Sequence, residues 1–150
     1  MPALSLVSPL GPLTVTQDGG AITGLEWRDG ETDHTPLLDA ASAQLARYFQ
    51  GALGEFDLPL KVRASAAQQA VCAAMRAIPT GETRTYGALA KDLGLPAQAI
   101  GQLCGANPIP ILIPCHRVLG ASTLGGFSAP GRVETKVWLL KHERAGGLLI

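Results

Sequence analysis

Apolar and polar residues alternate in short runs along the first 35 positions. Leu4-Ser5-Leu6-Val7, Pro12-Leu13-Thr14-Val15-Thr16 and Ile22-Thr23-Gly24-Leu25-Glu26-Trp27 each read as a strand, separated by Gly11 and by Asp18-Gly19-Gly20. From Leu37 to Phe49 the spacing becomes helical, with Leu38, Leu45 and Phe49 among the apolar positions, and Gln50-Gly51 supplies the stop. Strands followed by one helix predict a small α/β module over residues 1–61. Residues 51–64, with Gly54 and Pro59, cross to the rest of the chain.

The pattern over 62–150 is mainly helical. Ser65 is placed to cap a helix running to about Ala77, with Val71, Met75 and Ile78 on its apolar side, and Pro79-Thr80-Gly81 breaks it. Tyr86 to Leu93, the turn Gly94-Leu95-Pro96, and Ala97 to Ala106 then read as a helix-turn-helix, or as an ordinary corner of two helices. Ala97, Ala99, Gly101, Gly105 and Ala106 make the second helix poor by propensity. Small residues there admit the close approach of another surface, either nucleic acid or a neighbouring helix. Val133 to Arg144 predicts a last amphipathic helix with Val133, Val137 and Leu140 as its stripe and Trp138 in the core. His142 and Glu143 fall in its final turn.

Composition narrows the class. At 150 residues, 47% hydrophobic and 16% charged, the chain can bury a core, which excludes wholesale disorder. The longest apolar run is interrupted by Pro108, Pro110 and Pro114 and is too short to span a bilayer. Met1-Pro2-Ala3-Leu4-Ser5 leads straight into a strand with no leader pattern, so a cytoplasmic protein is expected. Cys72, Cys104 and Cys115 are an odd set for a disulfide framework and are expected as thiols. No CxxC occurs, and His34, His116 and His142 lack ligand spacing, so no zinc site is expected. The formal charge of zero hides a split: residues 1–61 carry three Lys/Arg against eight acids, and residues 62–150 carry nine against four. A basic second half suits a polyanion partner, though it also suits a solvated surface.

The informative chemistry lies between Asn107 and Val118. Prolines at every second or fourth place in Asn107-Pro108-Ile109-Pro110-Ile111-Leu112-Ile113-Pro114 disfavour a helix or central strand, which predicts a rigid buried loop. It presents Cys115-His116-Arg117, where two basic neighbours are expected to lower the thiol's pKa. Cys72 and Cys104 read as small buried hydrophobes. A nucleophilic cysteine also needs a base and a group to orient it. His116 and Glu143 are the candidates.

Pro114-Cys115-His116-Arg117-Val118, preceded by Asn107-Pro108, resembles the active-site motif of the O6-alkylguanine-DNA alkyltransferases, the methylated-DNA–protein-cysteine methyltransferases. The resemblance takes in Ile78 to Gly87, Gly125-Gly126-Phe127-Ser128, Lys136 to Leu140 and Glu143, and more loosely Pro9-Leu10-Gly11 and Tyr48-Phe49-Gln50-Gly51. It implies a ribonuclease-like α/β module over 1–61, then a helical DNA-binding and alkyltransferase domain over 62–150. It also implies a double-stranded DNA partner carrying O6-alkylguanine, gripped from the minor groove with the damaged base flipped out. By the same resemblance Cys115 accepts the alkyl group, and His116, oriented by Glu143, takes the thiol proton through water. Tyr86 donates to the guanine ring, Asn107 braces the cysteine turn, and Ser128, Val118, Phe127 and Cys104 line the substrate side. Gln98, Ala97, Gly101, Gly105, Tyr86 and Gly87 meet DNA. The implied protein is monomeric, uses no metal or organic cofactor, touches no membrane, and acts once because a thioether has no easy leaving group.

Three departures stand out. Family members usually insert an arginine from the second helix of the motif where this chain has Gln98, which predicts looser binding or less efficient flipping. Ala67-Gln68 and Cys72 stand where a Phe-Gln pair and a Trp are usual, so two aromatics are lost and repacking or lower stability is expected. Ala129-Pro130 replaces a Gly-Gly pair after Ser128, which leaves the alkyl-size preference open. Alternatives are a binder of alkylated DNA with weak or no transfer, a cysteine-based regulator, and a Cys-His-Glu hydrolase that turns over.

Overall fold

The alternating amino-terminal segments form three strands in a computed structural model that describes residues 1–120 and 133–145. Strands β1 (Ala3–Leu6), β2 (Leu13–Asp18) and β3 (Ala21–Glu26) pair antiparallel in that order. Leu4 opposes Val15, and Val15 opposes Leu25, so the register gathers apolar side chains on one face. Helix α1 (Pro36–Phe49) covers that face with the stripe Leu38, Ala41, Leu45 and Tyr48. Thr35 caps it by accepting from the Leu38 amide at 3.0 Å, and Gly51, at φ 78°, takes the left-handed step that ends it. Each large aliphatic side chain so buried contributes about 1.5–3 kcal/mol. Residues 31–33 and 59–61 cover the outer strands: the Asp33 amide donates to Ala3 O at 3.0 Å and the Ile22 amide to Pro59 O at 2.8 Å.

Residues Met1–Arg63 make one compact unit and Ala64–Ile150 a second. The second is built on α2 (Ala66–Arg76), α3 (Tyr86–Leu93), α4 (Ala97–Gly105) and α5 (Val133–His142). Ser65 caps α2 at 3.1 Å and Thr85 caps α3 at 3.0 Å, as their positions before helical runs require. Gly94, at φ 67°, closes α3 and opens the turn to α4, giving the helix-turn-helix pair. Ala67, where the resemblance expects Phe, is half-buried; Gln68, and Cys72 where it expects Trp, are both buried. The Gln68 amide donates to Leu103 O at 2.9 Å, satisfying a carbonyl near the end of α4, and lies 3.4 Å from the Cys72 sulfur. That bond joins α2 to α4.

Two short parallel strands, β4 (Arg84–Thr85) and β5 (Val118–Leu119), pair Arg84 with Val118 and Thr85 with Leu119. That pairing sets Tyr86, the first residue of α3, beside the segment leaving Cys115.

Helix α5 differs from its predicted face. Thr135, Lys136, Leu139 and Leu140 are buried, Val137 is half-buried, and Val133 is 43% exposed. Three apolar residues define a helical face weakly, and here Lys136 turns inward because its ammonium finds partners there. Trp138 is half-buried and stacks on the His142 ring, centroids 4.8 Å apart at 18°. No helix among the described residues is long and apolar enough to cross a membrane.

Candidate active site

The proline-rich loop is buried at every residue from Ile109 to Val118. Its shape is held from within. Asn107 Nδ2 donates to Ile113 O at 2.9 Å while its Oδ1 accepts from the Ile109 amide at 3.0 Å. The Ile113 amide donates to Ile109 O at 2.8 Å. Ile111 sits at φ 72°, a left-handed conformation that costs a β-branched residue roughly 1–3 kcal/mol and that the surrounding bonds enforce. The loop delivers Cys115 into a single 3₁₀ turn, Cys115–Arg117, in which the Cys115 amide donates to Ile113 O at 2.8 Å.

His116, Arg117 and Glu143 form one buried cluster. His116 Nε2 lies 2.7 Å from Glu143 Oε2. Arg117 Nε donates to Glu143 Oε1 at 2.9 Å and Nη2 to Oε2 at 3.1 Å, a two-point clamp. The same guanidinium reaches Ile78 O at 2.6 Å and Thr80 Oγ1 at 3.1 Å. Gly81, at φ 85°, brings that turn close, since a Cβ there would lie 3.5 Å from Glu143 O. The turn that ends α2, the 3₁₀ turn and the residue after α5 are thus joined through Arg117. Read from sequence, Arg117 has a part only in lowering the thiol's pKa and Thr80 has none, although both stand inside the runs that carry the resemblance, Pro114 to Val118 and Ile78 to Gly87.

Charge in the cluster follows from these bonds. Burial alone would raise the Glu143 carboxyl, but hydrogen bonds and charge from His116 and Arg117 outweigh it and hold it down, to about 2. Arg117, always charged, is enough to keep Glu143 ionised. Burial lowers His116 against the pull of Glu143, so the imidazole is neutral near pH 7. A neutral ring beside an ionised carboxylate carries its proton on Nε2, which makes Nδ1 the basic nitrogen. Burial pushes the Cys115 thiol up, to about 11, against opposing contributions from the Asn107 hydrogen bond and the Lys136 charge. The expected lowering by His116 and Arg117 is thereby corrected. Both are neighbours in sequence, but one is neutral and the other spends its charge on Glu143.

The remaining predicted residues fall in several places. Tyr86 is half-buried and bonded at 3.4 Å by Lys136 Nζ, which also donates to Val118 O at 2.7 Å. Cys104 is buried on α4, and burial raises its thiol to about 12. Ala97 and Gln98 are exposed on the first turn of α4, and Gly87 and Gly105 are exposed as well. A Cβ on Gly101 or Gly105 would meet nothing within 4 Å among the described residues, so their smallness serves no packing seen there. Ser128 and Phe127 lie outside the described residues. Among the described residues no group of three His, Cys, Asp or Glu side chains could hold a metal ion.

Two family models match this chain: the 6-O-methylguanine DNA methyltransferase ribonuclease-like domain over residues 5–62, and the DNA binding domain of the same enzyme over 66–145. The chain belongs to the 6-O-methylguanine DNA methyltransferase family. Similar members include the methylated-DNA–protein-cysteine methyltransferase of Mycobacterium tuberculosis (strain ATCC 25618 / H37Rv), 42% identical over 92% of this chain and 89% of that protein. The constitutive enzyme of Bacillus subtilis (strain 168) is 39% identical over 91% of this chain and 92% of its own length. A crystal structure of Mycobacterium tuberculosis OGT in complex with DNA superposes with a TM-score of 0.87 and 40% identity, covering 97% of this chain and 94% of that one. A hyperthermophilic member from Pyrococcus kodakaraensis, at 20% identity and a TM-score of 0.59 over 97% and 98%, shares the fold. The expected fold class holds: a ribonuclease-like α/β part followed by a mainly helical DNA-binding part.

Proposed function

We propose that this chain repairs DNA by direct reversal, moving the alkyl group of an O6-alkylguanine irreversibly to Cys115. The observation that carries the reading is the buried Cys115 thiol beside a neutral His116 whose Nε2 is held 2.7 Å from ionised Glu143. A thiol kept protonated in the resting state needs a base at the moment of reaction, and His116 Nδ1, acting through water, supplies it. The sulfur attacks the alkyl carbon in line, the carbon–oxygen bond breaks with its electron pair left on guanine, and guanine regains the proton the thiol gave up. Tyr86 donates to the departing ring, Asn107 braces the nucleophile, and Ser128 with Phe127 and Val118 complete the pocket. Cys104 stands at its back. The thioether offers no leaving group, so each molecule acts once.

Residues 62–150 are the part assigned to DNA, entered from the minor groove through α3 and α4. Ala97, Gln98, Gly101 and Gly105 on α4, with Tyr86 and Gly87, meet the duplex, and Gln98 fills the space the flipped base leaves. The partner is double-stranded DNA bearing O6-alkylguanine, the protein acts as a monomer, and the cytoplasm is its compartment.

Single-turnover kinetics with excess O6-methylguanine duplex test the reading. A burst equal to the amount of protein, with nothing after it, supports it. Continued turnover indicates a hydrolase, and tight binding without transfer indicates a damage binder.

A further inference from the structure

Helix α4 buries Ile100 and Cys104 on one side, and on the other Gln98, Gly101, Gln102 and Gly105 follow one another at helical spacing. Gln98, Gln102 and Gly105 are exposed, Gly101 is half-buried, and a Cβ on either glycine would meet nothing within 4 Å among the described residues. Gln17, Gln44, Gln68 and Gln69 each spend their side-chain amide on a backbone carbonyl of this chain. The carboxamides of Gln98 and Gln102 have no partner among the described residues. Gln98 has a place in the alkyl-transfer reading, in the space the flipped base leaves. Gln102 has none.

Gln102 stands four residues after Gln98, which at the helical rise puts it about 6 Å further along α4, roughly two base-pair steps of about 3.4 Å. Gly101 and Gly105 flank it and let the helix backbone come close to a groove floor, so that a side chain as short as glutamine reaches base edges. Being uncharged, it gains none of the counterion release that draws lysine and arginine to phosphate. What it can do is read. In the minor groove an A·T pair shows only the acceptors N3 and O2, whereas guanine sets its N2 amine beside N3. A carboxamide carries one acceptor and two N–H donors on adjacent atoms. Against guanine its N–H donates to N3 while its oxygen accepts from the N2 amine; against A·T only the donor bond forms.

We propose that Gln102 is a specificity-determining residue for repair, reading the minor-groove edge of a guanine within about two pairs of the damaged one. The proposal rests on the alkyl-transfer reading and its minor-groove approach, and deepens it by naming the favoured substrate: an O6-alkylguanine with a G·C pair beside it.

Inosine tests this, because it pairs with cytosine and lacks only the N2 amine. Single-turnover transfer is measured for the full chain and for Gln102→Ala on O6-methylguanine duplexes whose neighbouring pairs are all G·C. Two such duplexes are used, with the neighbouring guanines on the damaged strand or on its complement, and each guanine is then replaced by inosine in turn. Alanine at an exposed helical position keeps the fold. The ratio of wild-type to Gln102→Ala rates should be about five with guanine present and fall toward one when inosine takes one particular position. Taking the ratio cancels the weaker pairing of inosine, which both proteins feel alike. A ratio that no inosine moves, or that stays near one throughout, overturns the proposal. Free O6-benzylguanine should react equally with both proteins; unequal rates would mean that Gln102→Ala disturbs the pocket, and would overturn it as well. A wild-type chain that reacts with free O6-benzylguanine but with no duplex overturns this proposal and leaves the chemistry at Cys115 standing. One that reacts with neither overturns the parent reading.

Discussion

Around Cys115 every residue from Ile109 to Val118 is buried, and the charged side chains are tied in pairs and triples: His116 and Arg117 to Glu143, Arg117 to Thr80 and Ile78 O, Lys136 to Val118 O. The first turn of α4, in the same unit, exposes Pro96, Ala97 and Gln98, and no side-chain bond caps it. The first region cannot change one member without leaving another charge unpaired in the interior. The second, exposed and without a side-chain cap, can change at little cost to the fold. The proposed reaction chemistry sits where substitution is expensive, and the proposed contact with the duplex where it is cheap.

The comparison breaks most visibly at the nucleophile. Cys115→Ser is expected to abolish transfer while leaving the melting temperature within a few degrees, because a hydroxyl nearly fits the thiol's place; labelled-alkyl transfer and thermal melting check both. Next comes Glu143→Gln, which leaves Arg117 buried without its counter-charge. It should cost about 3–5 kcal/mol of stability and slow transfer about a hundredfold.

The same carboxyl gives a pH test. Its folded pKa, about 2, lies below the ordinary 4.5, so its stabilisation is complete above pH 4.5 and is lost as pH falls toward 2. The shift corresponds to about 3 kcal/mol. Urea titrations between those pH values should show wild type converging on Glu143→Gln; parallel curves would contradict the clamp.

Smaller effects sharpen the contrast. Asn107→Ala removes two buried hydrogen bonds and should cost about 1–3 kcal/mol. It should also raise the Cys115 thiol further, slowing iodoacetamide labelling of that cysteine near neutral pH. The smallest effect is expected at the exposed turn. Gln98→Arg should speed reaction with duplex by several-fold, about 1 kcal/mol, and leave reaction with free O6-benzylguanine unchanged. An equal change with both substrates would mean that position 98 acts on the pocket and not on the flipped duplex.

Much of this architecture is legible in the chain. Period-two alternation marks β1, β2 and β3, Ser65 precedes the helical run it caps, and Gly94 separates α3 from α4. The proline spacing marks a buried loop in place of a helix or central strand, and the residues singled out beside it, Asn107 and Glu143, bond Ile113 O and His116. What sequence could not supply is direction. Adjacency of Cys115, His116 and Arg117 suggests a lowered thiol pKa, but the Arg117 charge turns toward Glu143 and burial dominates at sulfur. Lys136 hides because a lysine in an amphipathic pattern reads as solvated, and only the position of Val118 O and Tyr86 turns it inward. The left-handed Ile111 is equally invisible, since its residue type argues against the conformation that its neighbours impose.

Peptide mass spectrometry of the wild-type protein after incubation with a duplex carrying O6-methylguanine tests the central claim most directly. The account predicts one added methyl on the peptide containing Cys115, in an amount equal to the guanine restored. An unmodified Cys115 after exposure to both the duplex and free O6-benzylguanine would contradict it.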